Sequence, residues 1–191
     1  MRCSAVLFLL YGFTAIAAGC GSSPATRYYT LGAAAEPAAT RSSVSVVVGP
    51  VSIPAVVDRP QFVVTTAPNQ VGFDEFNQWG SPLQNNIARV VVENLVILLG
   101  TPRVILNGEA EYRASIEVQR FESAPGEAAV LDAVWSVRRM KDGKTATGRT
   151  TAREAVQEKS YNALAAAHSR ALARLSRDIR DAVLAFDGAA L

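Results

Sequence analysis

SPLQNNIARVVVENLVILLG, residues 81–100, is the stretch from which the fold can be read. Leu83, Ile87, Val90, Val91, Leu95 and Leu98 recur at the spacing that places side chains on one face of an α-helix. Ser81-Pro82 has the chemistry of a helix start, a serine acceptor followed by a proline preset for the first turn, and Gly100 stands where a C-cap belongs. So broad an apolar stripe has to be covered, and the residues on either side supply the cover as strands.

Upstream, residues 61–66 (QFVVTT) and 70–76 (QVGFDEF) flank Ala67-Pro68-Asn69, which predicts a hairpin. Residues 44–53 (VSVVVGPVSI) read as a buried strand with a bulge or break at Gly49-Pro50. Residues 27–31 (RYYTL) are rich in strand formers, and residues 32–43 read as a loop. Downstream, residues 103–106 form a short strand and residues 111–123 a longer one, with Tyr112, Ala114, Ile116, Val118 and Arg120 expected on one face. Residues 127–140 and 144–156 are joined by Lys141-Asp142-Gly143, whose Asp-Gly pair signals a second hairpin. Residues 160–186 form a long helix with Leu164, Ala171, Leu172, Leu175, Ile179, Val183 and Phe186 as its apolar stripe. Its other face carries Arg170, Arg174, Arg177, Asp178 and Asp181, expected to be solvated with arginines paired to aspartates. The order strands, helix, strands, helix predicts an α+β fold: a two-layer domain with a mostly antiparallel sheet packed against two main helices.

The first twenty residues have a different character. Arg2 precedes an apolar run over residues 5–18, too short and too interrupted by Gly12 and Thr14 to span a membrane, which takes ~20 apolar residues. Small residues then lead into a cysteine, Ala17-Ala18-Gly19-Cys20, as a signal peptidase requires. The arrangement resembles a bacterial lipoprotein signal, with Ala17 where leucine is usual. That resemblance implies cleavage before Cys20, a diacylglycerol on its thiol and an acyl chain on its amine; the rival reading is an ordinary signal peptide. Residues 1–19 are then the signal, residues 20–26 a lipidated tether, and residues 27–191 a single domain. Two or more acyl chains give stable anchoring where one does not. Gly21, rather than aspartate, follows the cysteine, which by resemblance to lipoprotein sorting points to the periplasmic face of the outer membrane.

Composition narrows the function classes. Cys3 leaves with the signal and Cys20 is consumed by lipidation, so no internal disulfide is expected even in an oxidising periplasm. The net charge of +2 gives no electrostatic case for nucleic acid. His168 is the one histidine and has no cysteine ligands with which to build a zinc site, so a surface or helix-packing role is expected of it. No G-x-S-x-G elbow and no phosphate-cradling glycine pattern occurs. The carboxylate pairs Glu109/Glu111 and Asp74/Glu75 read as solvated turn or strand positions. No enzyme, cofactor or metal is expected.

The most distinctive residues lie between positions 51 and 83: Pro54-Ala55-Val56-Val57-Asp58-Arg59-Pro60-Gln61 leading into a strand, and Asn77-Gln78-Trp79-Gly80-Ser81-Pro82-Leu83 leading into the first helix. With Cys20, residues 28–31 (YYTL), Phe121 and residues 130–135 (VLDAVW), they resemble the ABC-type transport auxiliary lipoprotein, or PqiC-like, family over nearly the whole mature chain. Val57 stands where leucine is common, and Gly80-Ser81 replaces a more acidic pair. The resemblance implies a non-enzymatic docking component of a phospholipid transport system that maintains envelope integrity. Its implied partners are an MCE protein spanning the periplasm and, indirectly, an ABC transporter or permease, and a ring-shaped homo-oligomer would suit the role. The alternative is a structural lipoprotein that assists assembly of an outer-membrane β-barrel or a lipopolysaccharide export complex.

Asp58, Arg59, Gln61 and Trp79 are the candidate partner-binding residues, because element junctions commonly carry recognition. Each also has a structural reading. Asp58 can fix its turn by pairing with Arg59 or a backbone amide, and Trp79 can plug the core over the hairpin.

Overall fold

The computed structural model describes residues 24–37 and 41–188. The expected signal, Cys20 and the start of the tether lie outside the described residues. In chain order the elements are β1 (Arg27–Tyr29), β2 (Val46–Ser52), β3 (Gln61–Ala67), β4 (Gln70–Trp79), α1 (Leu83–Leu99), β5 (Val104–Ile105), β6 (Tyr112–Ala124), β7 (Ala128–Arg139), β8 (Thr145–Ala155) and α2 (Tyr161–Asp187).

The α+β class and its two main helices are as expected, and the strands divide into two mixed sheets. A three-stranded sheet has the order β1-β4-β3, and a five-stranded sheet the order β5-β2-β6-β7-β8. The long ladders β6-β7, β7-β8 and β3-β4 are antiparallel, while β1-β4, β2-β5 and β2-β6 are parallel. The parallel pairs join strands far apart in sequence, and β2 reaches β5 through the β3-β4 hairpin and then α1, the crossover that such a pair requires. The expected interruption of β2 occurs where its register against β6 shifts between Val48 and Val51.

Every position of the stripe read from α1 is buried, and Gly100 closes the helix in the left-handed conformation at φ 62°. Its start differs from expectation. Pro82, not Ser81, is the N-cap, and no side chain caps the helix; the Pro82 carbonyl instead accepts the Asn86 amide at 3.0 Å. In α2, Ser160 is the N-cap and its hydroxyl accepts the Ala163 amide at 3.1 Å.

Two surfaces are corrected. Arg120 is exposed and does not share the buried face of Tyr112, Ala114, Ile116 and Val118, because a register shift between Val118 and Arg120 passes the inward position to Phe121. The polar face of α2 pairs across to β8, and along the helix Asp181 pairs with Arg180 and not with the expected Arg174 or Arg177. Arg170 donates to Glu154 at 3.0 Å, and Asp178 accepts from Thr150 at 2.5 Å. Thr150 in turn accepts the Trp135 indole N–H at 3.0 Å, so one chain of hydrogen bonds joins β7, β8 and α2. Trp135 lies directly over Gly148, where an added Cβ would fall 2.2 Å from the ring; only glycine leaves room for it.

The segment after β1 is strapped onto the helices. The Asn94 side-chain oxygen accepts the Ala34 and Ala35 amides, both at 3.0 Å; Arg89 donates to the Leu31 carbonyl at 2.6 Å, and the Gly32 amide donates to Ser169 at 3.1 Å. The chain is therefore gripped by both helices within a few residues of β1.

Candidate docking groove

Where β4 hands over to α1, the chain runs beside the loop that precedes β3. The Trp79 amide donates to the Pro60 carbonyl at 2.8 Å, and the Gly80 amide to the Tyr29 carbonyl at 2.7 Å, so three distant segments are stitched together. The loop is held by its own backbone: Val57 N–H to Pro54 O at 3.0 Å, Asp58 N–H to Ala55 O at 3.3 Å and Arg59 N–H to Val57 O at 2.9 Å. Between these segments lies a groove of about 300 Å³ with Asp58, Arg59 and Pro60 along one side and Trp79, Ser81, Pro82 and Leu83 along the other.

The floor is rigid. Trp79 is 5% exposed, and its ring stacks on Phe62 with centroids 4.0 Å apart. Phe62, fully buried, meets Tyr29 and Tyr161 edge-on at 5.6 and 5.1 Å. The Tyr161 hydroxyl donates to Asp74, and the Tyr29 hydroxyl donates to Asn77 at 2.7 Å. Burial, followed by that bond to Asp74, pushes the Tyr161 phenol well above its ordinary value. Burial pushes the Asp74 carboxyl up, but hydrogen bonds from Tyr161, Asn77 and the Phe76 amide outweigh it and hold the group below its usual range.

The open side carries charge. Asp58 is exposed, and its carboxylate bonds to no described residue; the turn-fixing pairing with Arg59 or an amide does not form. Arg59 lies with its guanidinium carbon 4.0 Å above the Phe73 ring, and its Nε has no hydrogen-bond partner among the described residues. That Nε is buried, and the attraction of the ring face holds the guanidinium in place. Gln61 stands apart, donating to Glu75 at 3.2 Å outside the groove. The structure thus brings Asp58, Arg59 and Trp79 together and leaves Gln61 aside. It also adds Phe73, whose outward placement follows from the register shift in the β3-β4 hairpin and is not readable from the sequence.

A ligand set for a metal does not assemble: among the described residues no group of three or more His, Cys, Asp and Glu side chains converges. His168 is fully buried, stacked on Phe121 at 3.8 Å, with Nε2 2.8 Å from Ser123 Oγ. This is the helix-packing role.

The model of the ABC-type transport auxiliary lipoprotein component matches residues 29–180. The chain belongs to this family. The matched range includes all of the groove. A crystal structure of an uncharacterised protein superposes with a TM-score of 0.71 at 20% identity, covering 84% of this chain and 99% of its own. A protein from Xanthomonas campestris superposes at 0.67 with 21% identity, covering 80% and 92%. These likenesses show a shared fold. Among curated proteins, none matches the sequence. As a family member the chain is an auxiliary lipoprotein of ABC-type transport.

Proposed function

We propose that the protein is anchored through acylated Cys20 in the outer membrane, facing the periplasm, as a non-enzymatic docking component of an MCE/ABC-type phospholipid transport system. The observation that carries this reading is the groove, in a chain of the transport auxiliary family: an open Asp58/Arg59 edge set on a Trp79-Phe62 floor that cannot yield. Partner binding favours such preorganised anchors, and arginine is enriched among the residues that dominate interface energies. The periplasm-spanning MCE protein is the partner this edge is proposed to meet, with the ABC transporter or permease reached through it. A ring of identical subunits is the assembly proposed to receive it.

Arg59→Ala tests the docking. Removing the guanidinium should weaken capture of the MCE partner about tenfold or more while shifting the melting temperature by only about 2–4 °C, since a cation-π contact contributes ~1 kcal/mol. Titration calorimetry beside a thermal melt separates the two effects, and unchanged affinity would make this loop purely structural.

Cys20→Ser tests the anchor. The variant should move from the membrane to the soluble fraction with its melting temperature unchanged, because among the described residues the core draws on none before Tyr29. Each buried acyl methylene contributes ~0.8 kcal/mol to membrane affinity, so most of that affinity should be lost. Intact-mass measurement of the wild type should show the acyl chains, and an unmodified chain beginning at Cys20 would remove the anchor from the proposal.

A further inference from the structure

The outer face of the three-stranded sheet is apolar where a solvated face is expected to be polar. Phe62 points to the core and pairs with Asp74, so strand alternation turns Val63 and Thr65, with their partners Phe73 and Val71, the other way; the register shift between Gln61 and Phe62 brings Trp79 back to the core beside Tyr29, leaving Tyr28 outward. Val63 is covered, but Tyr28 remains 66% exposed and Val71 and Phe73 45% each. Phe76, 42% exposed, adjoins Asn77, the pairing partner of Arg27. An antiparallel hairpin ordinarily alternates apolar and polar faces, and a patch that breaks the rule marks a contact surface.

What covers it follows from where the chain enters. Tyr28 lies in β1, eight residues after Cys20. At 3.3–3.6 Å per extended residue, that face sits within about 28 Å of the lipid anchor. Arg59, stacked on Phe73, flanks it, a suitable setting for anionic headgroups, and Glu75 at its end is bonded to Gln61. Tyrosine and arginine are the side chains that settle at a membrane interface, with their apolar bodies inward and polar ends wet.

We propose that this face, through Tyr28, Val71 and Phe73, rests on the lipid surface in which Cys20 is anchored. The proposal builds on the acylation of Cys20. The short tether places the face at the headgroups, the contact fixes the tilt of the domain, and the groove beside it is held at a set height above the membrane.

The test uses the mature chain carrying Cys20→Ser, so that no acyl chain contributes, with vesicles of phosphatidylethanolamine and phosphatidylglycerol in a co-sedimentation titration. Binding is expected, reduced about tenfold or more by Tyr28→Thr with Val71→Thr and left within about twofold by Arg153→Ala, an exposed cation on the other sheet. Threonine keeps the strand preference at both sites, and a thermal melt confirms the fold. Absence of vesicle binding, or equal binding by the double variant, would overturn the proposal. So would concentration-dependent self-association lost in the double variant without vesicle binding, which would make the face a contact between copies. Because these vesicle measurements do not depend on acylation, they can fail or succeed separately from the intact-mass result for Cys20.

Discussion

Trp79→Ala is expected to lower the unfolding free energy by about 3–5 kcal/mol, the range for truncating a buried large aromatic. The ring is 5% exposed, stacks on Phe62 and meets Phe121 edge-on at 6.2 Å, so its loss leaves a hole where the small sheet joins the larger one. Leu83, the first residue of α1, is buried in the same cluster, which limits how far the structure can collapse into the space. A denaturant titration of Trp79→Ala beside Arg59→Ala should show a large shift in midpoint for the first and a small one for the second. A loss below about 1 kcal/mol for Trp79→Ala would mean that the ring is not part of the core, a cost far under that of a truncated buried aromatic. The contrast also decides which variant can report on docking. Only the arginine can be removed without the fold answering first.

The second large effect is acid sensitivity centred on His168. Burial pushes its pKa down to about 3, whereas in the unfolded chain it titrates at the ordinary 6.5. Between those values the unfolded state holds a proton that the folded state refuses, so stability is complete above pH 6.5 and falls as the pH drops. The slope approaches about 1.4 kcal/mol per pH unit, or about 2 kcal/mol lost by pH 5. His168→Gln cannot take up the proton and should flatten the profile between pH 6.5 and 4, even though it lowers stability throughout. The same slope in wild type and variant would refute the assignment. The carboxylates act later. Asp74, Asp132 and Asp142, whose pKa values are held below 3.8, contribute stability above that value and lose it as the pH falls further, Asp142 near pH 2.

The contrast between Trp79 and Asp58 shows why part of the site was legible and part was not. A large aromatic between a strand and a helix start has a structural use wherever it lands, and Trp79 took it. Asp58 had two local partners available in the sequence and uses neither, because the backbone of residues 54–59 closes the turn without its side chain. For Arg120, alternation assigned the wrong face, since a single register shift after Val118 inverts every later residue of a strand. For Ser81, a capping serine was present but the helix began one residue later, on a proline whose carbonyl serves as the first acceptor.

Periodicity by itself determined the two helices, the two hairpins, the interrupted strand and the α+β class, because burial on one face repeats every 3.6 residues in a helix and every 2 in a strand. Motif and spacing by themselves also pointed to the family. Tertiary structure alone decided that the strands form two mixed sheets, that His168 lies neutral against Phe121, and that Asp58 and Arg59 face Trp79 across a groove. It alone left Tyr28, Val71 and Phe73 uncovered on the outer face of the three-stranded sheet. The physical reason is range: a local pattern records which face of an element is buried, whereas parallel pairing and the meeting of loops depend on segments tens of residues apart, whose contacts form only as the core closes.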